Sequence, residues 1–164
     1  MTIKLEQDER FVTAVQAHSP AMYRAAWSLL RNSADAEDAV SAAIINCYQS
    51  LHRIRSWDAI RAYLIRAAVN ASYDMLRRGQ REYATEDMEA LHPAAPREET
   101  PVWAYLTGLP PKSRLIMQLR YGEDMPVKEI AHILRLPRGS VSVTISRTLK
   151  LLRKQLEQEE AAHA

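Results

Sequence analysis

Aromatic, basic and amide side chains recur along one side of a predicted helix that spans residues 58–81. At spacings of three and four residues they share one helix face. Tyrosine rings stack on exposed bases, guanidinium groups neutralise phosphates, and an asparagine amide hydrogen-bonds a base edge. This aromatic-basic stripe consists of Tyr63, Arg66, Asn70, Tyr73, Arg77 and Arg81, with Arg78 beside it. It suits single-stranded nucleic acid, and the alternative is a solvated face whose tyrosines pack against a neighbouring helix.

A second pattern lies towards the end of the chain, where short predicted helices at 127–134 and 138–157 are joined by the turn 135–137. This arrangement is typical of a helix-turn-helix, whose second helix enters the major groove of duplex DNA. Side chains there reach bases and phosphates. The outward face of the second helix holds Ser140, Val143, Ser146, Arg147, Lys150 and Lys154. A generic helical hairpin is the alternative.

Both surfaces require an apolar face behind them. The opposite side of the helix at 58–81 is expected to be core and carries Ile60, Leu64, Ala67, Ala68, Ala71 and Met75. In the helix-turn-helix, Ile130, Ala131 and Leu134 are expected to face an inward stripe on the second helix. That stripe consists of Val141, Ile145, Leu149, Leu152 and Leu156.

Three further helices are predicted ahead of these, at 5–17, 20–31 and from Asp35 to about His52. Asn32-Ser33 is a cap signal for the third. Its first turn holds Asp35, Glu37 and Asp38. Carboxylates at that position favour the free backbone amides and the positive end of the helix dipole.

The charges of the 164-residue chain divide it into three parts. Residues 1–81 hold 11 Lys/Arg against 8 Asp/Glu, residues 82–102 hold 1 against 6, and residues 103–164 hold 10 against 6. Pro93, Pro96 and Pro101 lie in the acidic segment, and no strand is predicted anywhere. We therefore predict an all-α protein with two small helical domains, 1–81 and 103–164, joined by a flexible acidic linker at 82–102. The basic blocks indicate a polyanion as partner.

Several classes of protein are disfavoured. The five histidines are scattered and none pairs with the single cysteine, Cys47, at ligand spacing, so no metal site is expected. No phosphate loop or nucleophile elbow is present, so we expect neither a cofactor nor enzymatic activity. The first residues lack the features of a signal peptide, and no apolar run is long enough to insert into a membrane. A cytoplasmic protein with Cys47 in its core is expected.

Three segments in this order resemble the motifs of extracytoplasmic-function sigma factors, a group of the sigma-70 family of bacterial RNA polymerase. They are ADAEDAV at 34–40, AYLIRAAVNASYDMLRRGQR at 62–81 and LPPKSRLIMQLRYGEDMPVKEIAHILRLPRGSVSVTISRTLKLLRK at 109–154. The resemblance covers nearly the whole chain and implies a two-domain sigma factor. Such a protein binds core RNA polymerase, recognises promoter DNA and is commonly held inactive by an anti-sigma factor.

The resemblance also implies residue roles. The stripe at 63–81 would open the −10 promoter element and capture a base of the displaced strand. The helix from residue 138 would read the −35 element, through Arg138, Ser140, Ser142, Val143, Ser146, Arg147 and Lys150. The largest-subunit clamp helices of polymerase would contact Asp35, Glu37, Asp38, Ser41 and Ile45. The flap region of polymerase is a further expected partner, and Asp74 is expected to be structural.

The chain departs from the family pattern at three places. Ser41-Ala42 stands where the family usually has Gln-Glu, and Arg135 stands where glycine is common in the turn. Ser142-Val143-Thr144 replaces a frequent Lys-Ser-Arg, which suggests a −35 readout through thymine methyl groups and Arg147. Two rival interpretations remain, and the altered residues at 41–42 and 142–144 keep the second of them open. One is a stand-alone DNA-binding regulator, and the other is a helical adaptor or decoy that binds polymerase without promoter activity.

Overall fold

A computed structural model of the protein describes residues 1–79 and 105–163 in full and the backbone alone of residues 80–83. The chain divides into two compact units. The first holds α1 (Thr2–Leu30), α2 (Ser33–Gln49) and α3 (Ile60–Tyr83), and the second holds α4 (Pro111–Met117), α5 (Val127–Leu134) and α6 (Arg138–His163). Within these described ranges the structure is helical and has no strand, which confirms the all-α prediction. The predicted linker, 82–102, lies outside the described residues except for its first two positions, which belong to α3.

The core of the first unit lies between α1, α2 and α3. Met22, Leu64 and Ala68 are fully buried, and so are several alanines of α1 and α2. Small alanine side chains let helix axes approach closely, and Leu and Met fill the space that remains. The predicted inward face of α3 is confirmed, since Ile60, Leu64, Ala68 and Ala71 are buried and Ala67 and Met75 pack against the same cluster.

The predicted break between residues 17 and 20 is wrong, because α1 continues through Pro20. A proline inside a helix removes one hydrogen bond and costs about 3 kcal/mol. Phe11 and Ala14 precede it and Met22 and Ala26 follow it, and all four pack into the same core. Burial of apolar residues on both sides of Pro20 offsets this local cost.

The start of α2 is fixed by local hydrogen bonds, as the cap signal predicted. The side chain of Asn32 accepts a hydrogen bond from the backbone amide of Asp35 at 3.0 Å. The hydroxyl groups of Tyr23 and Ser33 lie 2.7 Å apart and tie this end to α1. Helix α2 ends at Gln49, and residues 51–53 form a 3-10 turn rather than continuing the helix.

The second unit contains a buried polar cluster beneath the helix-turn-helix. α4 continues as a π-helical turn over Gln118–Gly122. Arg114 donates from Nη1 to the carbonyl of Leu109 at 2.6 Å, and Gln118 donates from Nε2 to Oε1 of Glu123 at 3.1 Å. A Cβ at position 122 would lie 2.3 Å from Nε2 of Gln118, so a larger residue there would displace the Gln118 side chain from its hydrogen bond to Glu123. These bonds compensate the buried polar groups for the loss of water.

The first helix of the helix-turn-helix and the start of the second were predicted correctly, whereas the second continues to His163 beyond its predicted end at 157. Helix α5 ends at Leu134, and Arg135 follows with φ 55° and ψ 45°, in the left-handed region. The amide of Leu136 donates to the carbonyl of Ala131 at 3.0 Å, which closes the end of α5. A side chain at such a position costs about 1 kcal/mol relative to glycine.

Replacing Arg135 by glycine is therefore expected to stabilise the protein, raising the free energy of unfolding by about 1 kcal/mol. Urea denaturation monitored by far-ultraviolet circular dichroism measures the change. Arg138→Gly serves as a control, because φ is not positive at position 138 and glycine should destabilise that helix start. A lower urea midpoint for Arg135→Gly would contradict this account of the turn.

The apolar stripe predicted along α6 is only partly inward. Val141 and Ile145 are buried, but Leu149 and Leu156 are 40% and 46% exposed. Among the described residues of α6, the buried ones all lie in its first three turns, where Thr148 is the last of them.

Cys47 lies in the core of the first unit with 2% of its surface exposed, as predicted. Burial raises the pKa of its thiol from the ordinary 9.0 to about 11. The folded state therefore keeps its proton where the unfolded state loses it, so stability should fall as the pH rises from about 9 to about 11.

We expect disulfide reagents to label Cys47 at about pH 8 at least roughly 100-fold more slowly in native buffer than in denaturant, because the thiolate is rarer and covered. Cys47→Ala should show a shallower loss of stability above pH 9 than the parent protein. Equal labelling rates in both solutions would show that the thiol is not buried.

Candidate nucleic-acid interface

The aromatic-basic stripe lies on the side of α3 that is not packed into the unit. Asn70, Arg77 and Arg78 are exposed, whereas Tyr63, Arg66 and Tyr73 are half-buried along the edges of the stripe. The buried part of α3 is wider than predicted, because Ile65, Val69 and Ser72 are buried as well. The exposed part of the stripe is thus narrow, and the rest of α3 is packed against the unit.

The two tyrosines of the stripe are both half-buried. Tyr63 packs against the core cluster. Burial raises the pKa of the Tyr73 phenol, so this group stays neutral at physiological pH. Rings fixed in this way lose little conformational entropy when a base stacks on them. The packing interpretation and the base-stacking interpretation are therefore compatible for these two residues.

Asp74, which was expected to be structural, has its partner on the same helix. Its carboxylate forms an ion pair with the Arg77 guanidinium one turn away, at exposed positions. A surface pair of this kind contributes little to stability, but it orients the arginine and partly neutralises the carboxylate. Arg81 lies on α3, and its side chain is outside the described residues.

The second candidate surface lies on α6, and we call it the groove face. All seven of its predicted members are exposed. Val141, Ile145 and Thr148 are buried on the opposite side. The hydroxyl of Thr144 donates to the Ser140 carbonyl at 2.9 Å, so Thr144 is directed along the helix. The groove face consists of Arg138, Ser140, Ser142, Val143, Ser146, Arg147 and Lys150.

A third surface lies on α2. Glu37, Asp38 and Ser41 are exposed and Asp35 is partly so, while Ile45 is 57% exposed. Tyr48, one turn beyond Ile45, is 48% exposed, and its ring centroid lies 5.7 Å from that of buried Phe11. An exposed isoleucine beside an exposed tyrosine is typical of a protein-binding surface. The sequence prediction omitted Tyr48, although its spacing of three from Ile45 was a usable signal.

The described residues also bear on metal binding and on membrane insertion. In the ranges that the structure describes, no group of three or more His, Cys, Asp or Glu side chains could hold a metal ion. No described helix is long and apolar enough to span a bilayer.

Comparison with known protein families matches both units. The family model for Sigma-70 region 2 matches residues 14–82, and the model for Sigma-70, region 4 matches residues 105–154. The first match contains α2 and the stripe of α3, and the second contains the whole helix-turn-helix with the groove face. Together they span the surfaces described above.

Curated relatives match along nearly their whole length. The chain is 30% identical to RNA polymerase sigma factor SigV of Bacillus subtilis over 154 residues, which cover 91% of this chain and 92% of the relative. It is 25% identical to the ECF RNA polymerase sigma factor SigW of the same organism, with coverages of 94% and 92%.

A solved structure shares the fold. The sigma factor RpoE of Bartonella quintana, crystallised with the anti-sigma factor NepR, matches with a TM-score of 0.74 at 21% identity, over 90% of this chain and 96% of that one. Sigma factors are not a class of enzyme. From the two family matches and the full-length relatives, the chain belongs to the extracytoplasmic-function group of the sigma-70 family, whose members bind core RNA polymerase and direct transcription initiation at specific promoters.

Proposed function

We propose that the two nucleic-acid surfaces of this sigma factor divide promoter recognition between them. The stripe of α3 opens the −10 element and holds a base of the displaced strand, with Asn70 at the base edge and Tyr63 and Tyr73 as stacking platforms. The groove face of α6 reads the −35 element in the major groove. The observation that carries this assignment is that Asn70 and every member of the groove face are exposed while the helices beneath them are packed.

Residues 1–81 would then form the domain for polymerase and the −10 element, residues 82–102 a linker, and residues 103–164 the domain for the −35 element. The surface of α2 docks on the clamp helices of the largest polymerase subunit, with Ile45 as its apolar anchor. The second domain contacts the flap region. In this role the protein has no catalytic activity of its own and acts in the cytoplasm, where polymerase and promoter DNA are found.

An anti-sigma factor is a further proposed partner. RpoE of Bartonella quintana was solved with the anti-sigma factor NepR, and CnrH with the cytosolic domain of CnrY. The exposed apolar residues of α2 offer such a partner a surface that overlaps the proposed polymerase site. Masking that surface would keep the protein inactive until a stress or envelope signal releases it.

Val143 gives the −35 readout an unusual chemistry. It is 46% exposed at the centre of the groove face, where a branched apolar side chain contacts thymine methyl groups rather than donating hydrogen bonds. We expect Val143→Lys to lower the preference for thymine at one −35 position by about 5-fold or more, equivalent to about 1 kcal/mol. Selection of binding sites from a randomised −35 library measures the preference. An unchanged preference in the lysine variant would contradict the thymine contact.

The proposal as a whole is tested by multi-round transcription with core polymerase from a related bacterium, on a pool of genomic fragments, with and without the protein. Sequencing of RNA 5′ ends should reveal new starts that share −35 and −10 elements. No new starts despite stable polymerase binding would indicate a decoy that occupies polymerase without initiating. No new starts and no polymerase binding would indicate a stand-alone DNA-binding regulator.

A further inference from the structure

The turn between α5 and α6 keeps an arginine at a position where the backbone favours glycine. Arg135 has φ 55° and ψ 45°, and glycine adopts this conformation without steric cost. Unfavourable backbone conformations that persist in a protein often occur at functional sites. The Arg135 side chain is therefore expected to make a contribution that glycine could not.

Three other arginines of the chain have side-chain partners within the described residues, whereas Arg135 has none there. Arg31 also has φ 55°, but its guanidinium lies over the Trp27 ring at 4.1 Å. Arg120 donates to the Met125 carbonyl at 3.2 Å, and buried Arg114 donates to the carbonyl of Leu109. The side chain of Arg135 is exposed and forms no hydrogen bond, ion pair or ring contact with any residue in the described part of the chain.

The basic residues at the start of α6 are widely separated. Arg138 and Arg147 are separated by roughly 13 Å of helix. The exposed side chains between them are hydroxyl groups and Val143, with no basic group. A helix that enters the major groove by its N-terminal end has phosphates on both sides of that entry. Arg135 stands three residues ahead of Arg138, at this entry.

We infer that Arg135 is a phosphate-binding residue of the helix-turn-helix, which anchors the start of α6 to the DNA backbone. This inference rests on the proposed DNA-reading role of α6. The arginine at position 135 adds to the charge of Arg138 at the mouth of the groove, ahead of the stretch of α6 between Arg138 and Arg147 that supplies only hydroxyl and apolar contacts. Folding stability and DNA affinity thus place opposite demands on this residue.

The test measures both properties on full-length variants. Binding to a fluorescein-labelled duplex of mixed sequence is followed by anisotropy between about 50 and about 200 mM KCl. Arg135→Gly should raise the dissociation constant about 3- to 10-fold at the lowest salt, and it should reduce the salt slope by about 0.9, the value for one phosphate contact. The same variant should unfold at a higher urea concentration. Arg135→Lys keeps the charge and should stay within about twofold of the parent.

Lys112→Gln is the matched control, because Lys112 is an exposed cation of the same unit on α4. Its salt slope should equal that of the parent. The inference is overturned if Arg135→Gly leaves affinity and salt slope unchanged, if Arg135→Lys loses as much affinity as the glycine variant, or if Lys112→Gln gives the same loss. An unmodified protein that binds the duplex without salt dependence would overturn the proposed role of α6 as well.

Discussion

Replacing Ile45 by aspartate is expected to weaken the binding of core RNA polymerase by roughly 100-fold, equivalent to about 2.7 kcal/mol. Ile45 is 57% exposed at the centre of the α2 surface, so the free protein should fold normally. In the complex the aspartate would lose water without gaining a partner, and a buried unpaired charge is strongly unfavourable. Biolayer interferometry with immobilised core polymerase measures the change, and circular dichroism checks folding.

The matched control for this prediction is Ile3→Asp. Ile3 is 74% exposed on the first turn of α1, and no proposed interface includes it. The control variant should bind polymerase within about twofold of the parent. If both variants lost affinity equally, surface charge rather than a specific apolar anchor would govern the interaction, and the role assigned to α2 would be wrong.

Replacing Asn70 by alanine should reduce transcription from a promoter of this sigma factor by about 10-fold, equivalent to about 1.4 kcal/mol. Asn70 is exposed on the stripe, so the loss would reflect a missing hydrogen bond to an unpaired base rather than a folding defect. Asn70→Asp should be worse, because a carboxylate cannot donate and repels phosphate. Run-off transcription with saturating sigma factor measures the effect, and permanganate footprinting locates it at strand opening.

Two results decide whether the Asn70 effect is specific. Gln16→Ala removes an exposed amide from α1 and should leave transcription unchanged. Duplex templates with a mismatched bubble at the −10 element should restore part of the activity of Asn70→Ala only if strand opening is the impaired step. Full activity of Asn70→Ala on the duplex template would remove Asn70 from the −10 assignment.

Local patterns in the sequence were sufficient for much of the fold. The inward face of α3, the cap at Asn32 and both helices of the helix-turn-helix follow from periodicity and capping chemistry, which depend on neighbours within a few residues. Most of the groove face of α6 was predicted from the same periodicity, which directs Val141 and Ile145 inward, while Arg138 and Ser142 were added from the family resemblance. The order of three motifs made the family recognisable.

Tertiary structure decided the features in which distant packing competes with local preference. Pro20 lies inside a continuous α1 because core contacts on both sides outweigh the lost hydrogen bond, and no local rule contains those contacts. Leu149 and Leu156 are exposed although their spacing is that of a core stripe, because the buried residues of α6 end at Thr148 in the described part of the chain. Ile65 and Val69 are buried beside the predicted inward face of α3. The exposed side of this helix is therefore narrower than the sequence predicted.

The backbone at Arg135 depends on both the local sequence and the tertiary structure. The sequence by itself determined that an arginine follows α5, in a turn where glycine is common, and so raised the possibility of strain. Only the three-dimensional structure determined that φ is positive there, because the return of the chain from α5 to α6 sets that angle. That the Arg135 side chain has no partner among the described residues is likewise a property of the packed unit, since the positions of neighbouring side chains decide it.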